Sequence, residues 1–189
     1  MVDYSAGLYF LAIIPPTPVY ERVHELKLIF AREYHSSHAL NSPPHITVIP
    51  PFKIPHVSLT ILAKFFHENM VFFQPYIVML DGFGCFQPRV IYIKPQISPL
   101  FTEARNQLLS RFYELFPQSR QDTRPFLPHM TVAFKDLIPT MFSKAWPVVS
   151  RMDFSAFFRI DELVLLKYES GKWVVFQRFP LTENNSIPC

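Results

Sequence analysis

The chain has 189 residues, 49% of them hydrophobic and 17% charged, a balance that excludes a disordered segment and suits one compact domain. Only four glycines are present, Gly7, Gly82, Gly84 and Gly171, so neither a GxxxxGK[ST] loop nor a GxGxxG turn can be written and the loop-based nucleotide cradles are excluded. The net charge of +3 is compatible with a phosphate-bearing ligand without demanding one.

In chain order, the apolar run Leu8 to Ile14 reads as a strand. It is too short to span a membrane, and Asp3 stands where a signal peptide would carry basic residues. Thr17-Pro18 predicts an N-cap followed by a helix to about Tyr34, with Val19, Val23, Leu26 and Phe30 on one stripe. A polar stretch, His35 to Pro44, leads to a strand over His45 to Ile49, ended by Pro50-Pro51. A helix from Val57 to Met70 carries Ile61, Phe65 and Phe66, and Tyr76 to Leu80 is a strand. The order then repeats. A strand Val90 to Ile93 closes at Pro95, and Ser98-Pro99 opens an amphipathic helix with Phe101, Ala104, Leu108, Phe112 and Leu115 on its apolar face. A polar loop, 117 to 128, precedes a strand over His129 to Ala133, and a helix follows near Leu137 to Trp146. Strands are expected near Phe157 to Tyr168 and Lys172 to Phe179, with Gly171 in the last turn.

We read this order as an internal duplication, with units at about 8–86 and 88–181 of a single two-lobed domain and a loose tail over 182–189. The fold class expected is α+β with two mainly antiparallel sheets flanked by helices. Cys85 and Cys189 form no metal or redox spacing and read as free thiols of a cytoplasmic protein.

The chemistry lies in Pro44-His45-Ile46-Thr47-Val48 and Pro128-His129-Met130-Thr131-Val132, at corresponding places in the two halves. In a strand His and Thr share one face, roughly 6.5–7 Å apart at their Cα atoms, while the apolar residues between them enter the core. A third match, His56-Val57-Ser58-Leu59, begins a helix, lacks a counterpart and reads as a decoy. Two imidazoles can divide the work of phosphodiester cleavage: one removes a proton from water or a ribose hydroxyl, the other protonates the leaving oxygen. Threonine hydroxyls can donate to the phosphate oxygens. This chemistry needs no metal or cofactor, and none is expected.

The stretches Pro43 to Phe52 and Phe126 to Phe134 resemble the 2H phosphoesterase superfamily, named for paired His-x-Thr motifs, and within it the bacterial 2'-5' RNA ligase-like proteins. The resemblance runs from Leu8 to about Phe179. It implies a pseudo-twofold fold with both motifs in a central cleft, His45 and His129 as the acid/base pair, and Thr47 and Thr131 as phosphate ligands. It also implies metal-independent hydrolysis of 2',3'-cyclic phosphates or related 2'-linked phosphodiesters of RNA ends or nucleotides. The alternatives are the reverse reaction, 2'-5' RNA end-joining, and a non-catalytic RNA- or nucleotide-binding module. Many relatives carry Arg five residues after the second His, where this chain has Phe134 followed by Lys135.

Phe52, Phe126, Phe134 and Lys135 are possible base or phosphate contacts, with Lys53 and Arg124 as further cations and Tyr9, Tyr92 and Lys94 as cleft positions. His35 and His38 lack a third ligand at metal spacing and read as a solvated loop. A monomer without membrane contact is expected. Which histidine is acid and which is base does not follow from a symmetric pair of motifs.

Overall fold

The computed structural model describes residues 5–119 and 125–183. These fold as β1 (Ala6–Ile13), α1 (Val19–Tyr34), β2 (Ile46–Pro55), α2 (Leu59–Asn69), β3 (Tyr76–Phe86), β4 (Val90–Gln96), α3 (Pro99–Leu115), β5 (Met130–Ala133), α4 (Pro139–Val149), β6 (Ser155–Ile160), β7 (Glu162–Glu169) and β8 (Lys172–Pro180). They form two four-stranded sheets, in the orders β2-β1-β7-β8 and β5-β4-β3-β6. Each strand pairs antiparallel with its neighbours. This is the α+β class the sequence predicts.

The strand–helix order repeats, yet the sheets do not follow the two halves. β3, from the first half, lies between β4 and β6, and β7, from the second, lies between β1 and β8. The expected run from Phe157 to Tyr168 breaks at Asp161, where the chain leaves one sheet for the other. Ser170 and Gly171, with φ of 48° and 86°, make the two-residue turn that joins β7 to β8.

Strand alternation sorts the side chains into two layers. Tyr9, Leu11 and Ile13 of β1 enter the main core with Val23 and Phe30 of α1, Phe66 of α2 and Phe112 of α3. Phe112 lies 4.7 Å from Phe52 and 5.2 Å from Phe116, ring centre to ring centre, so much of the phenylalanine excess fills the space between sheets and helices. Phe10 and Ala12 point the other way and join Val164 and Leu166 in a smaller cluster against Ile14 and Trp173. That second face of the first sheet carries the site.

Several boundaries differ from expectation. Pro50-Pro51 does not end β2. The pair sits where the register with β1 slips, between Ile49 opposite Leu11 and Phe52 opposite Tyr9, and β2 is an edge strand with no ladder to break on its outer side. Pro95 does not end β4 because β5 pairs only with Ile91 to Ile93, leaving that side of the strand open. Ser98 caps α3, its Oγ accepting from the Phe101 N–H at 3.1 Å, but Thr17 does not cap α1. Pro18 holds the cap position and the Thr17 hydroxyl lies 3.4 Å from the Glu21 carboxylate. On α2 the buried stripe is Leu62, Phe65, Phe66 and Asn69, while Ile61 faces solvent. Leu115 likewise lies outside the buried face of α3. Arg124, Cys189 and tail residues 184–189 lie outside the described residues.

Candidate functional site

His45 stands one residue before β2 and His129 one residue before β5. Ile46 and Val48, and likewise Met130 and Val132, are fully buried, which fixes the strand register and turns the alternate residues to the other face. Thr47 lies opposite Ala12 of β1, and Thr131 opposite Tyr92 of β4. Both histidines and both threonines line one cavity of about 250 Å³. Phe10, Phe86 and Trp173 contribute apolar wall. A larger hollow of about 400 Å³ around Phe72, Phe101 and Gln107 holds neither motif.

The two rings are held alike. His45 Nδ1 lies 2.8 Å from the Pro43 carbonyl oxygen, and His129 Nδ1 lies 2.7 Å from that of Leu127. A carbonyl only accepts, so each Nδ1 carries the proton and Nε2 is the nitrogen left for a ligand. Phe10 packs against His45 at 4.9 Å, while Phe86 and Tyr92 pack against His129 at 5.2 and 5.5 Å.

Burial, then the nearby Lys27 ammonium and, more weakly, His129 push His45 down to about 4, against the opposing effect of its bond to Pro43. Lys27 is fully buried on α1, and its Nζ donates to the carbonyls of Ala39 and Ser42, both at 3.1 Å. Burial pushes Lys27 itself down to about 7.

A sequence profile of the 2'-5' RNA ligase superfamily matches residues 15–172. The chain belongs to the 2'-5' RNA ligase superfamily. It is 25% identical over 174 residues to a Geobacillus kaustophilus strain HTA426 protein named "Putative phosphoesterase", covering 90% of this chain and 94% of that one. A relative of the same name from Bacillus cereus strain AH187 is 27% identical over 179 residues, covering 93% and 98%. Among solved structures, TT0787 of Thermus thermophilus superposes with a TM-score of 0.68 at 19% identity, covering 92% of this chain and 97% of that chain. E. coli LigT in complex with 3'-AMP superposes with a TM-score of 0.66 at 18% identity, covering 95% and 100%.

In this superfamily member the flanking candidates separate. Phe134 lines the cavity. Lys135 is exposed at φ 66°, in a tight turn closed by the Asp136 N–H on the Phe134 carbonyl, and is not part of the cavity wall. Phe52 is buried between Tyr9 and Phe112, so it serves the core and not a ligand. Phe126 lies under the Arg105 guanidinium, 4.2 Å from ring centre to Cζ, away from the cavity. Tyr9 is buried on the core face of β1; the residue that corresponds to Tyr92 in the pairing register is Ala12. Lys53 and Lys94 are exposed and outside the cavity wall, and the half-buried decoy His56 is also not part of that wall.

Four of the residues that sequence reasoning missed shape the site through polar groups. Lys27 falls four after Val23 and three before Phe30, so a cation on a core stripe was the available signal. Arg105, beside Ala104 on α3, donates from Nε to the Val48 carbonyl at 2.9 Å and covers Phe126, tying the first motif strand to the approach of the second. His38 belongs to the loop read as merely solvated, yet it lines the cavity. Asp136 carries no pattern signal and is the acceptor that organises that loop.

Proposed function

We propose that this protein is a phosphodiesterase that opens 2',3'-cyclic phosphates, or cleaves related 2'-linked phosphodiesters, at RNA ends or in nucleotides, without a metal. The observation that carries this reading is the convergence of His45, Thr47, His129 and Thr131 on one cavity of about 250 Å³. The superfamily membership and the relatives' names support the phosphoester class.

The surroundings of His45 support its assignment as the base. His45, held low by burial and Lys27, is neutral near pH 7 and has Nε2 free to take a proton. In the hydrolytic direction it removes a proton from water as the water oxygen attacks phosphorus. The bond from phosphorus to the 2'- or 3'-oxygen breaks, and His129, entering as imidazolium, gives its Nε2 proton to that oxygen. Thr47 and Thr131 donate to the non-bridging oxygens as charge builds on them. His45 leaves the step protonated and His129 neutral, and solvent exchange resets both.

The test is turnover of nucleoside 2',3'-cyclic phosphates in the presence of chelator. His45→Ala and His129→Ala should each lower kcat by roughly 10²–10⁴-fold. Undiminished turnover in both variants would overturn the mechanism. The profile of kcat/KM against pH should be bell-shaped, with its acid limb near 4, because activity needs His45 unprotonated.

A further inference from the structure

We propose that His38 contacts the nucleoside part of the ligand, and that Asp136 is the positioning residue that holds it at the cavity wall. The inference deepens the phosphodiesterase reading and rests on it for the class of ligand.

The loop after α1 is pinned from two sides. His35 takes a left-handed conformation, φ 54°, and the Ser36 N–H reaches back to the Phe30 carbonyl, which turns the chain off the helix. The next three residues then converge on one carboxylate from the other half of the sequence. Ser36 Oγ donates to Asp136 Oδ1 at 2.8 Å. The Ser37 and His38 N–H groups each donate to Oδ2 at 2.8 Å, and Ser37 Oγ to Oδ2 at 3.3 Å. From beneath, Lys27 holds the carbonyls of Ala39 and Ser42. The segment between these anchors supplies His38, Asn41 and Ser42 to the cavity.

Asp136 itself is not part of the cavity wall. Burial raises its carboxyl, but the bonds from Ser36, His38 and Ser37 outweigh burial and the net shift is downward, so the carboxylate is engaged with the loop. An anionic ligand meets the loop's outer face and not the acid behind it.

The His38 ring is half-buried, and its centre lies 5.0 Å from that of Phe134 in an edge-on contact. Among the described residues no hydrogen-bond partner to that ring is found. A half-buried imidazole that faces a cavity with its polar edge open is suited to a ligand group. On the phosphodiesterase reading the phosphate is held by His45, His129, Thr47 and Thr131, which line the same cavity. The wall formed by His38 and Phe134, one polar ring and one apolar ring, suits the adjoining ribose or base.

Two probes separate this role from phosphate binding: adenosine 2'-monophosphate and inorganic phosphate, each titrated calorimetrically. His38→Ala keeps the clamp, which uses the backbone N–H of residue 38. It should raise Kd for the nucleotide about fivefold to tenfold, the loss of one hydrogen bond, and leave Kd for phosphate unchanged. KM for the cyclic nucleotide should rise similarly with kcat little altered, and His38→Asn should recover part of the loss. Asp136→Asn should reproduce the His38→Ala effect, and the double variant should add little. If Asp136→Asn unfolds, the two histidine variants decide alone. Unchanged nucleotide affinity in His38→Ala, equal weakening of both probes, or no binding of either probe to the native protein overturns the proposal. Selective weakening of the nucleotide with no turnover in the native protein would instead overturn the catalytic reading and leave this contact standing.

Discussion

The carbonyls that hold His45 and His129 come from the residues two positions earlier, and in both cases the residue between is a proline. Proline fixes its own φ near −65°, which narrows the directions in which that preceding carbonyl can point relative to the ring. Pro44→Ala and Pro128→Ala widen this range without deleting either acceptor. Each should lower kcat by about 2- to 5-fold with KM nearly unchanged, corresponding to roughly 0.4–1 kcal/mol of lost ordering. Steady-state kinetics decides it, and unchanged kcat in both variants would reduce these prolines to punctuation. Lys27 gives a second residue-scale prediction. Its value of about 7 in the fold lies below the ordinary 10.5, so between those values the unfolded chain binds more protons than the folded one. Stability therefore rises with pH from about 7 to 9.5. His45 titrates below this window, and burial pushes Tyr9, Tyr76 and Tyr92 above the ordinary tyrosine value. In thermal melts across that window the upward slope of Tm should flatten in Lys27→Met. A slope equal to that of the native protein would show that Lys27 is not its source.

Among the elements, those with strict apolar periodicity were the legible ones. Val19, Val23 and Phe30 mark α1, and Phe101, Ala104, Leu108 and Phe112 mark α3. The motif strands announce themselves because alternation forces Thr47 and Thr131 away from the buried neighbours on either side. Strand ends were less legible, since a proline ends a strand only where a ladder bond is demanded of it, and neither Pro50-Pro51 nor Pro95 meets that demand. The wall built by the loop after α1 could not be read from its own residues. Its order comes from Asp136, about a hundred positions away, and from a lysine side chain buried beneath it. Arg105 illustrates the same limit: a helix pattern tells which face of α3 is buried but not that a cation there joins the strand of Thr47 to the approach of His129.

Across the whole molecule, the sequence halves and the sheets are different partitions of the same chain. A split near Pro88 would leave the first half with β1, β2 and β3, although β3 has its pairing partners, β4 and β6, in the second half. The second half would keep β7 and β8 but lose β1, the strand between β2 and β7. Each fragment would expose a strand edge and an apolar face that the intact chain covers, because the core draws on both halves at once, with Phe52 of β2 against Phe112 of α3 and Arg105 on the Val48 carbonyl. The two units should therefore unfold together, in one transition, despite the repeated order of their elements. Fragments 1–87 and 88–189 expressed separately should lack dispersed amide resonances and cooperative melting, and mixing them should restore both along with binding of adenosine 2'-monophosphate. A fragment that melts cooperatively alone would mean that one half carries a complete folding unit, and the exchange of β3 and β7 would then be a docking of preformed lobes and not a condition of folding.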